Sequence, residues 1–247
     1  MHVAEAVSSR ITCRAFLDTP VPEATVRAIL SAAARTPSGG NLQPWHVWVL
    51  AGTELDRLKE LVRQRMAGGE IADGPTEYHI YPPVMKEPYI TRKFLNGQAV
   101  YTALGVPRED TEQRRVQVAR NFEFFGAPIG MFIAIDRSMQ PGQWADLGMF
   151  MQSIMLLARE YGLHTAALES WALRYKTVGE FLHLPQELML FCGMALGFMD
   201  TSHPVNGARV PRAPVSEFAI FRGFAGANAR NSSTALSNDL ASPTQAS

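Results

Sequence analysis

Cysteine is nearly missing from this chain. Cys13 and Cys192 are the only two, and they are too far apart for a disulfide scaffold or a zinc ribbon, so free thiols in a reducing compartment are expected. An excess of either charge is missing as well. Lys plus Arg and Asp plus Glu number 23 each, so no whole-molecule field draws nucleic acid or an anionic membrane, although a local basic cluster stays open. No run approaches the roughly 20 apolar residues of a membrane span. The opening MHVAEAVSSR carries Glu5 and lacks the apolar core of a signal peptide, so a soluble cytoplasmic protein is expected.

The usual chemical signatures are absent too. Without GxGxxG the common phosphate turn of a dinucleotide domain is missing, and no Walker loop, HExxH or GxSxG occurs. The six histidines, His2, His46, His79, His164, His183 and His203, show no metal-ligand spacing and are read as structural. Nothing in the sequence pairs the carboxylates near Glu169, so they are given no acid or base role. Hard chemistry without protein nucleophiles suggests a borrowed cofactor.

What is present fits one large domain or a subunit with an extended interface: 247 residues, 47% hydrophobic and 19% charged. Val3, Ala6 and Val7 mark a short helix running into SSRITCRAF, where Arg10 and Arg14 stand four apart around Thr12. Such a trio is either a solvated surface or a phosphate cradle, since guanidinium binds phosphate bidentately and the hydroxyl adds a bond. Pro22 opens a helix through Val26, Ile29, Leu30 and Ala33, which leads into TPSGGNLQPW at residues 36–45. There Pro37 ends the helix, Gly39 and Gly40 relax backbone limits, and Asn41 and Gln43 can donate and accept hydrogen bonds. The loop is either a plain turn or a means of pressing main-chain groups against a planar, polar-edged ligand.

Val47, Val49 and Leu50 predict a buried strand, and Leu55, Leu58, Leu61 and Val62 one face of an amphipathic helix closed by Gly68 and Gly69. Residues 70–110 lose periodicity and carry prolines and aromatics, including Tyr78, Tyr81, Tyr89, Phe94 and Tyr101. A lid or arm with short helical pieces is expected, its rings either stacking on a flat substrate or pinning the arm down. Helical patterning returns over 111–125. Strands are expected at 127–135, 163–168 and 187–196, with a short helix over 177–182. Residues 143–161 predict a helix apolar on most faces, buried centrally or against another subunit, with Gly162 as its cap. This order implies an α+β or α/β sandwich whose sheet is covered by helices. RVPRAPVSEF carries Arg209 and Arg212, residues 218–221 predict an edge strand or arm, and the polar tail from Ala225 predicts disorder. No internal repeat is visible.

SSRITCRAF, then PVPEATVRAILSAAARTPSGGNLQPWHVWVL, then RVPRAP, in that order and spacing, resemble the FMN-dependent nitroreductase family from about Ala4 to Phe224. YPPVMKEPYITRKF, YTALGVPRED, NFEFFGAPIG and PGQWADLGMFMQSIML are similar to its nitrobenzoate-reductase branch. The resemblance implies one domain over 1–224 with residues 70–110 as a lid or arm. It implies an α+β sandwich with a mostly antiparallel central sheet, and an intertwined homodimer holding two FMN at its interface. It further implies that Arg10, Thr12 and Arg14 hold the FMN phosphate and flavin edge, with Arg209 and Arg212 reaching in from the C-terminal side. Thr12 stands where many relatives have serine. Pro37, Ser38, Gly39 and Asn41 would lie along the isoalloxazine, and Asn121 is a candidate for its polar edge. Glu169 and Ser170 take the place of a Glu-Gly whose backbone approaches flavin N5, Ser170 departing from the glycine. The implied reaction is ping-pong, with NADH or NADPH as donor, a nitroarene or quinone as acceptor, and solvent as the proton source. Other readings are quinone or enone reduction or reductive dehalogenation on the same fold, an FMN storage protein, and an interaction module acting through its tail.

Overall fold

Runs of branched and small apolar residues without polar interruption dictate strands covered on both faces, and two such runs pair at the middle of a four-stranded sheet. In the computed structural model, which describes residues 1–69 and 71–224, the strands are β1 (His46–Ala51), β2 (Ile129–Asp136), β3 (His164–Leu168) and β4 (Leu188–Gly197). Their order is β1-β2-β4-β3 and every pairing is antiparallel. Helices α1 (Val3–Ser9), α2 (Glu23–Ala33), α3 (Gly52–Met66), α4 (Tyr89–Ala103), α5 (Thr111–Ala119), α6 (Pro141–Glu160) and α7 (Tyr175–Leu182) complete an α+β unit. No helix among the described residues is long and apolar enough to cross a membrane. The tail expected to be disordered lies outside the described residues.

The period of two along β2 divides its side chains between two cores. Ile129, Met131, Ile133 and Ile135 pack with Val26 and Ile29 of α2 and Leu147, Phe150 and Ile154 of α6. Phe132 points the other way, to Leu55, Leu58 and Val62 of α3 and Val178 of α7. A register shift between Ile133 and Ala134 makes Phe191 the extra residue of a β-bulge on β4. Phe191 and Cys192 therefore both serve the α2–α6 side although they are adjacent. The bulge also takes the Phe191 carbonyl out of the ladder, and the Tyr78 hydroxyl donates to it.

β1 departs from the sequence expectation. It forms where predicted but is not buried, Val49 being 39% exposed; it is an edge strand with β2 on one side only. Residues 70–110 differ too. Their start is fixed by Asp73, whose Oδ1 lies 2.9 Å from Arg174 Nη1 while its Oδ2 accepts from the Thr177 amide at 2.8 Å. Beyond the anchor at Tyr78 the chain forms α4, a 15-residue helix where short pieces were expected.

The chain divides into compact units, Met1–Val210 and a second from Pro211. In the second, α8 (Val215–Phe218) is a single helical turn, so the edge-strand reading of residues 218–221 does not hold; no described strand pairs with them.

One glycine is required by close approach. Trp171 is fully buried, stacked on Phe124 at 4.8 Å and edge-on to Phe132 at 5.0 Å, and its indole lies close against Gly193 of β4. A Cβ on residue 193 would sit 2.3 Å from Trp171 Cδ1. Gly193→Ala must therefore displace the indole and is expected to destabilise the fold by about 1–3 kcal/mol. Urea unfolding with a shift in tryptophan emission checks this, and unchanged values for both would contradict it.

Candidate functional site

α1 stops at Ser9, and Arg10 turns extended with φ −65° and ψ 124°. From there the chain runs beside the free edge of β3: the Cys13 amide donates to the Thr165 carbonyl at 3.0 Å, and Thr12 bridges Thr165 in parallel. Arg10, Thr12 and Arg14 therefore share a side through the period of two of extended chain, not through helical spacing as the sequence reading assumed. Arg10 and Arg14 are spread over at most about 14 Å of backbone. Cys13 and Ala15 alternate with them and are buried. Burial lifts the Cys13 thiol to about 11, the Ala15 carbonyl contact opposing, so no reactive thiolate stands here.

Asn206 joins this segment to the C-terminal side. Its Oδ1 accepts from the Arg14 amide at 2.8 Å, its Nδ2 donates to the Ala15 and Asp200 carbonyls, and its own carbonyl accepts from Arg209 Nη1 at 2.8 Å. Arg14 and Arg209 are thus brought to one place. Arg212 lies in the second unit, where its Nη1 donates to the Pro211 carbonyl.

Arg10 and Arg14 are half-buried, and among the described residues neither they nor Arg209 has a carboxylate within ion-pairing distance. Loss of hydration lowers the Arg14 guanidinium below its ordinary value, with Cys13 opposing weakly. A desolvated cation without a counter-charge gains from an incoming anion. Two hydroxyls nearby in the chain are also unspent: Thr165 Oγ1, opposite Thr12, and Ser170 Oγ, just past β3, are buried with no partner in the described protein. Glu169, beside Ser170, is half-buried and burial raises its carboxyl. The Asn121 Nδ2 donates to the Val118 carbonyl at 2.8 Å, which uses it to close α5.

The second predicted group, Pro37, Ser38, Gly39 and Asn41, forms a 3-10 turn at Gly39–Asn41. Gly40, Asn41 and Gln43 all have positive φ, which glycine and asparagine tolerate best. The Ser38 hydroxyl accepts from the Gln43 amide at 3.0 Å and closes the loop on itself. Two bonds tie it to α6: the Gly39 amide donates to Asp146 Oδ2 at 3.1 Å, and Thr36 Oγ1 lies 2.6 Å from Ser153 Oγ.

α6 also touches the arginine segment, but at its far end, where Arg159 Nε donates to Ser9 Oγ at 3.3 Å. Asp146 and Arg159 are thirteen residues apart, about 20 Å of helix. No hydrogen bond among the described residues links residues 10–14 to residues 36–43. Within one chain the loop is thus tied to α6 at Asp146 and Ser153, and the arginine segment at Arg159 near its C-terminal end.

Asp146, Asn206 and Thr165 were not singled out from the sequence, because each is a lone polar residue whose partners lie far along the chain; Asn206 and Arg14 are separated by 192 positions. The sequence signal for Asp146 is a carboxylate within the apolar run of α6.

The fold is α+β, and beside the edge of its antiparallel sheet stands a positive row without its own counter-charge among the described residues, an arrangement that favours an anion. The chain belongs to the nitroreductase family, whose family model matches residues 7–198. It is 37% identical over 220 residues to the chloronitrobenzene nitroreductase of Comamonas testosteroni, covering 89% of this chain and 96% of that one. It is 34% identical over 216 residues to the 4-nitrobenzoate reductase of Nocardioides sp. (strain LMS-CY), covering 87% of each. The crystal structure of the FMN and NADPH-dependent nitroreductase NfnB from Sphigopyxis sp. strain HMH superposes with a TM-score of 0.87 at 40% identity, covering 91% of this chain and 100% of that one.

His164, on β3 between these elements, yields a pH prediction. Arg159 Nη1 lies 3.1 Å from its Nδ1, which must accept, so the ring is neutral. Burial, then the Arg159 charge, lowers its pKa from 6.5 to about 4. Between about pH 6.5 and 4 the unfolded chain takes up a proton that the folded chain refuses. Stability present above that window is lost as pH falls through it, by about 1.4 kcal/mol per unit. Urea unfolding from pH 7.5 to 4.5 should show this slope, reduced by one proton in His164→Gln. Equal slopes in both proteins would contradict the assignment.

Proposed function

We propose that the protein is an FMN-dependent NAD(P)H oxidoreductase that reduces nitroaromatic compounds and works as a homodimer. The observation that carries this reading is the half-buried pair Arg10 and Arg14 without a carboxylate partner, together with the unspent hydroxyls of Thr165 and Ser170. A phosphate joined to a planar, polar-edged ring fits such a donor set. Arg10, Thr12 and Arg14 would hold the phosphate and the flavin edge, with Arg209 and Arg212 adding charge from the C-terminal side. Pro37, Ser38, Gly39 and Asn41 would line the ring. Glu169 and Ser170 would face it from the end of β3, the side chain of Ser170 standing where the resemblance implied a glycine.

Bound FMN would supply two-electron hydride chemistry, taken from NADPH or NADH and given to the nitro group in a separate half-reaction. The chain's own part is orientation and charge. Arginine keeps its proton under all working conditions, so guanidiniums at the polar edge stabilise negative charge there without titrating. No side chain is assigned as an essential acid or base. The Cys13 thiol is held up at about 11 and is no nucleophile, and protons come from solvent.

The homodimer is supported by the separate attachment of the two groups along α6. If both groups serve one flavin, the loop of one chain must meet the arginines of another. α6 keeps an uncovered face for such a partner, with Ala145, Gly148 and Met149 exposed. Nitroaromatic acceptors are favoured because the relatives named above are reductases of a neutral and of an anionic nitroarene.

The direct test is an anaerobic absorbance titration of the purified protein with NADPH or NADH, then with 4-nitrobenzoate or nitrobenzene. A yellow spectrum that bleaches with the nucleotide and returns with the nitro compound is expected. A protein that stays colourless when FMN is added would overturn the reading. Arg10→Ala with Arg212→Ala should weaken FMN binding by at least about 100-fold, since each charge-assisted bond contributes about 1.5–3 kcal/mol. The melting temperature without flavin should stay nearly unchanged. Full flavin occupancy in that double variant would remove the phosphate assignment.

A further inference from the structure

A groove of about 740 Å³ lies between α4 and the chain that leads into α5. Along α4 its wall is one stripe, with Ile90, Phe94, Gly97 and Tyr101 recurring at helical spacing. Ile90 and Phe94 stand 46% and 51% exposed, so the apolar surface of this wall is open to water. Lys93, Arg108 and Arg114 supply charge. No carboxylate lines the groove, and among the described residues none of these three cations has one within ion-pairing distance.

Ring contacts already place all three cations. Lys93 Nζ lies 3.7 Å from the centre of the Tyr81 ring, Arg114 lies over Tyr101 at 4.0 Å, and Arg108 is 5.7 Å from Phe94. A cation held against an aromatic face loses less freedom when an anion arrives. Arg114 Nε donates to the Pro107 carbonyl at 3.1 Å, which leaves its two terminal nitrogens as a pair matched to the two oxygens of a carboxylate. Gly97 adds an independent observation. A glycine in the middle of a 15-residue helix costs about 1 kcal/mol relative to alanine, yet a Cβ there would meet no atom within 4 Å. Packing does not require it, and its effect is to keep the floor of the groove open between Phe94 and Tyr101.

The lining sets the chemistry of what fits. Its cations call for an acidic head, and its stripe calls for a flat apolar body. Besides the Tyr101 hydroxyl, only Gln98 and Thr102 offer uncharged polar side chains among the described residues, so a hydroxyl-rich ligand would be poorly satisfied. The volume suits a ligand larger than a single ring. We propose that the groove is a binding site for polycyclic aromatic carboxylates, with Arg108 and Arg114 on the carboxylate and the rings laid along Ile90, Phe94 and the open floor at Gly97. Such binding needs no flavin and makes or breaks no bond, so it holds or fails independently of the oxidoreductase reading above.

The test is calorimetric titration of the full-length protein in saturating FMN with 2-naphthoate, 2-naphthamide, inorganic phosphate and adenosine 5′-monophosphate. Naphthoate should bind at least about tenfold more tightly than the amide, which keeps the rings without the charge, and than phosphate, which keeps a charge without the rings. Arg108→Gln with Arg114→Gln should weaken naphthoate at least about tenfold and leave the amide nearly unchanged. Gly97→Leu should weaken both ring compounds while the melting temperature holds or rises. Equal affinity for acid and amide, or naphthoate binding unchanged in either variant, would overturn the proposal. So would absence of naphthoate binding. Tighter binding of the nucleotide than of naphthoate would also overturn it and give the groove to nucleotides. A protein that takes up no FMN but meets these expectations loses the oxidoreductase reading and keeps this site.

Discussion

Twenty residues of continuous α-helix from Pro141 to Glu160 act as a spacer, because a helix shortens or kinks only where its hydrogen-bond ladder is interrupted and α6 has proline only at its first position. Asp146 near one end holds the Gly39 amide, and Arg159 near the other holds Ser9 beside Arg10. Residues 10–14 and the loop over 36–43 belong to one compact unit, the loop fixed to that helix at Asp146 and Ser153 and the arginine segment at Arg159. The sheet depends on the same helix, since Leu147, Phe150 and Ile154 cover the side of β2 that carries Ile129 to Ile135. Packing against the sheet fixes α6, and α6 sets the spacing of the segments bonded to it.

Electrostatics adds a second constraint. Arg14 is desolvated and without a counter-charge, while Asn206 occupies its backbone amide and the neighbouring carbonyls. The backbone of the segment is thus satisfied inside the protein, and its side-chain charge is not. Positive groups in this state favour an anion supplied from outside, and permanently charged arginine suits a site where negative charge accumulates during reduction. The groove on α4 repeats the pattern with Arg108 and Arg114 held by Tyr101 and Phe94.

Much of this was legible in the sequence where the signal is local. The unbroken apolar runs of β2 and β4 gave strands, and the apolar periodicity of α6 gave its length within two residues at its start. The burial of β1 was not legible, because an apolar string does not say whether a strand ends up inside or at the rim of a sheet. The spacing of Arg10 and Arg14 was read as helical because α1 precedes it, whereas the free edge of β3, more than 150 positions away, draws that segment into extended form. α4 escaped notice as one helix because Thr91, Asn96 and Gly97 interrupt its pattern. Asn206 and Asp146 left little trace, since a lone polar residue acquires its role only from partners brought near by folding. The family resemblance carried the arginines and the loop as one set, and the residues alone left each of them open.

The central claim is that the arginine segment of one chain and the glycine loop of another make one cofactor site. The direct measurement is flavin stoichiometry in mixed dimers, formed from a chain carrying Arg10→Ala with Arg14→Ala and a chain carrying Gly39→Leu with Asn41→Ala. Each variant alone should bind almost no FMN. A mixed dimer has one site in which both contributing segments are intact, so one flavin per two chains should return, with nitroreductase activity. If mixing restores no flavin while the mixed dimers form, each site is built within a single chain and the account is wrong.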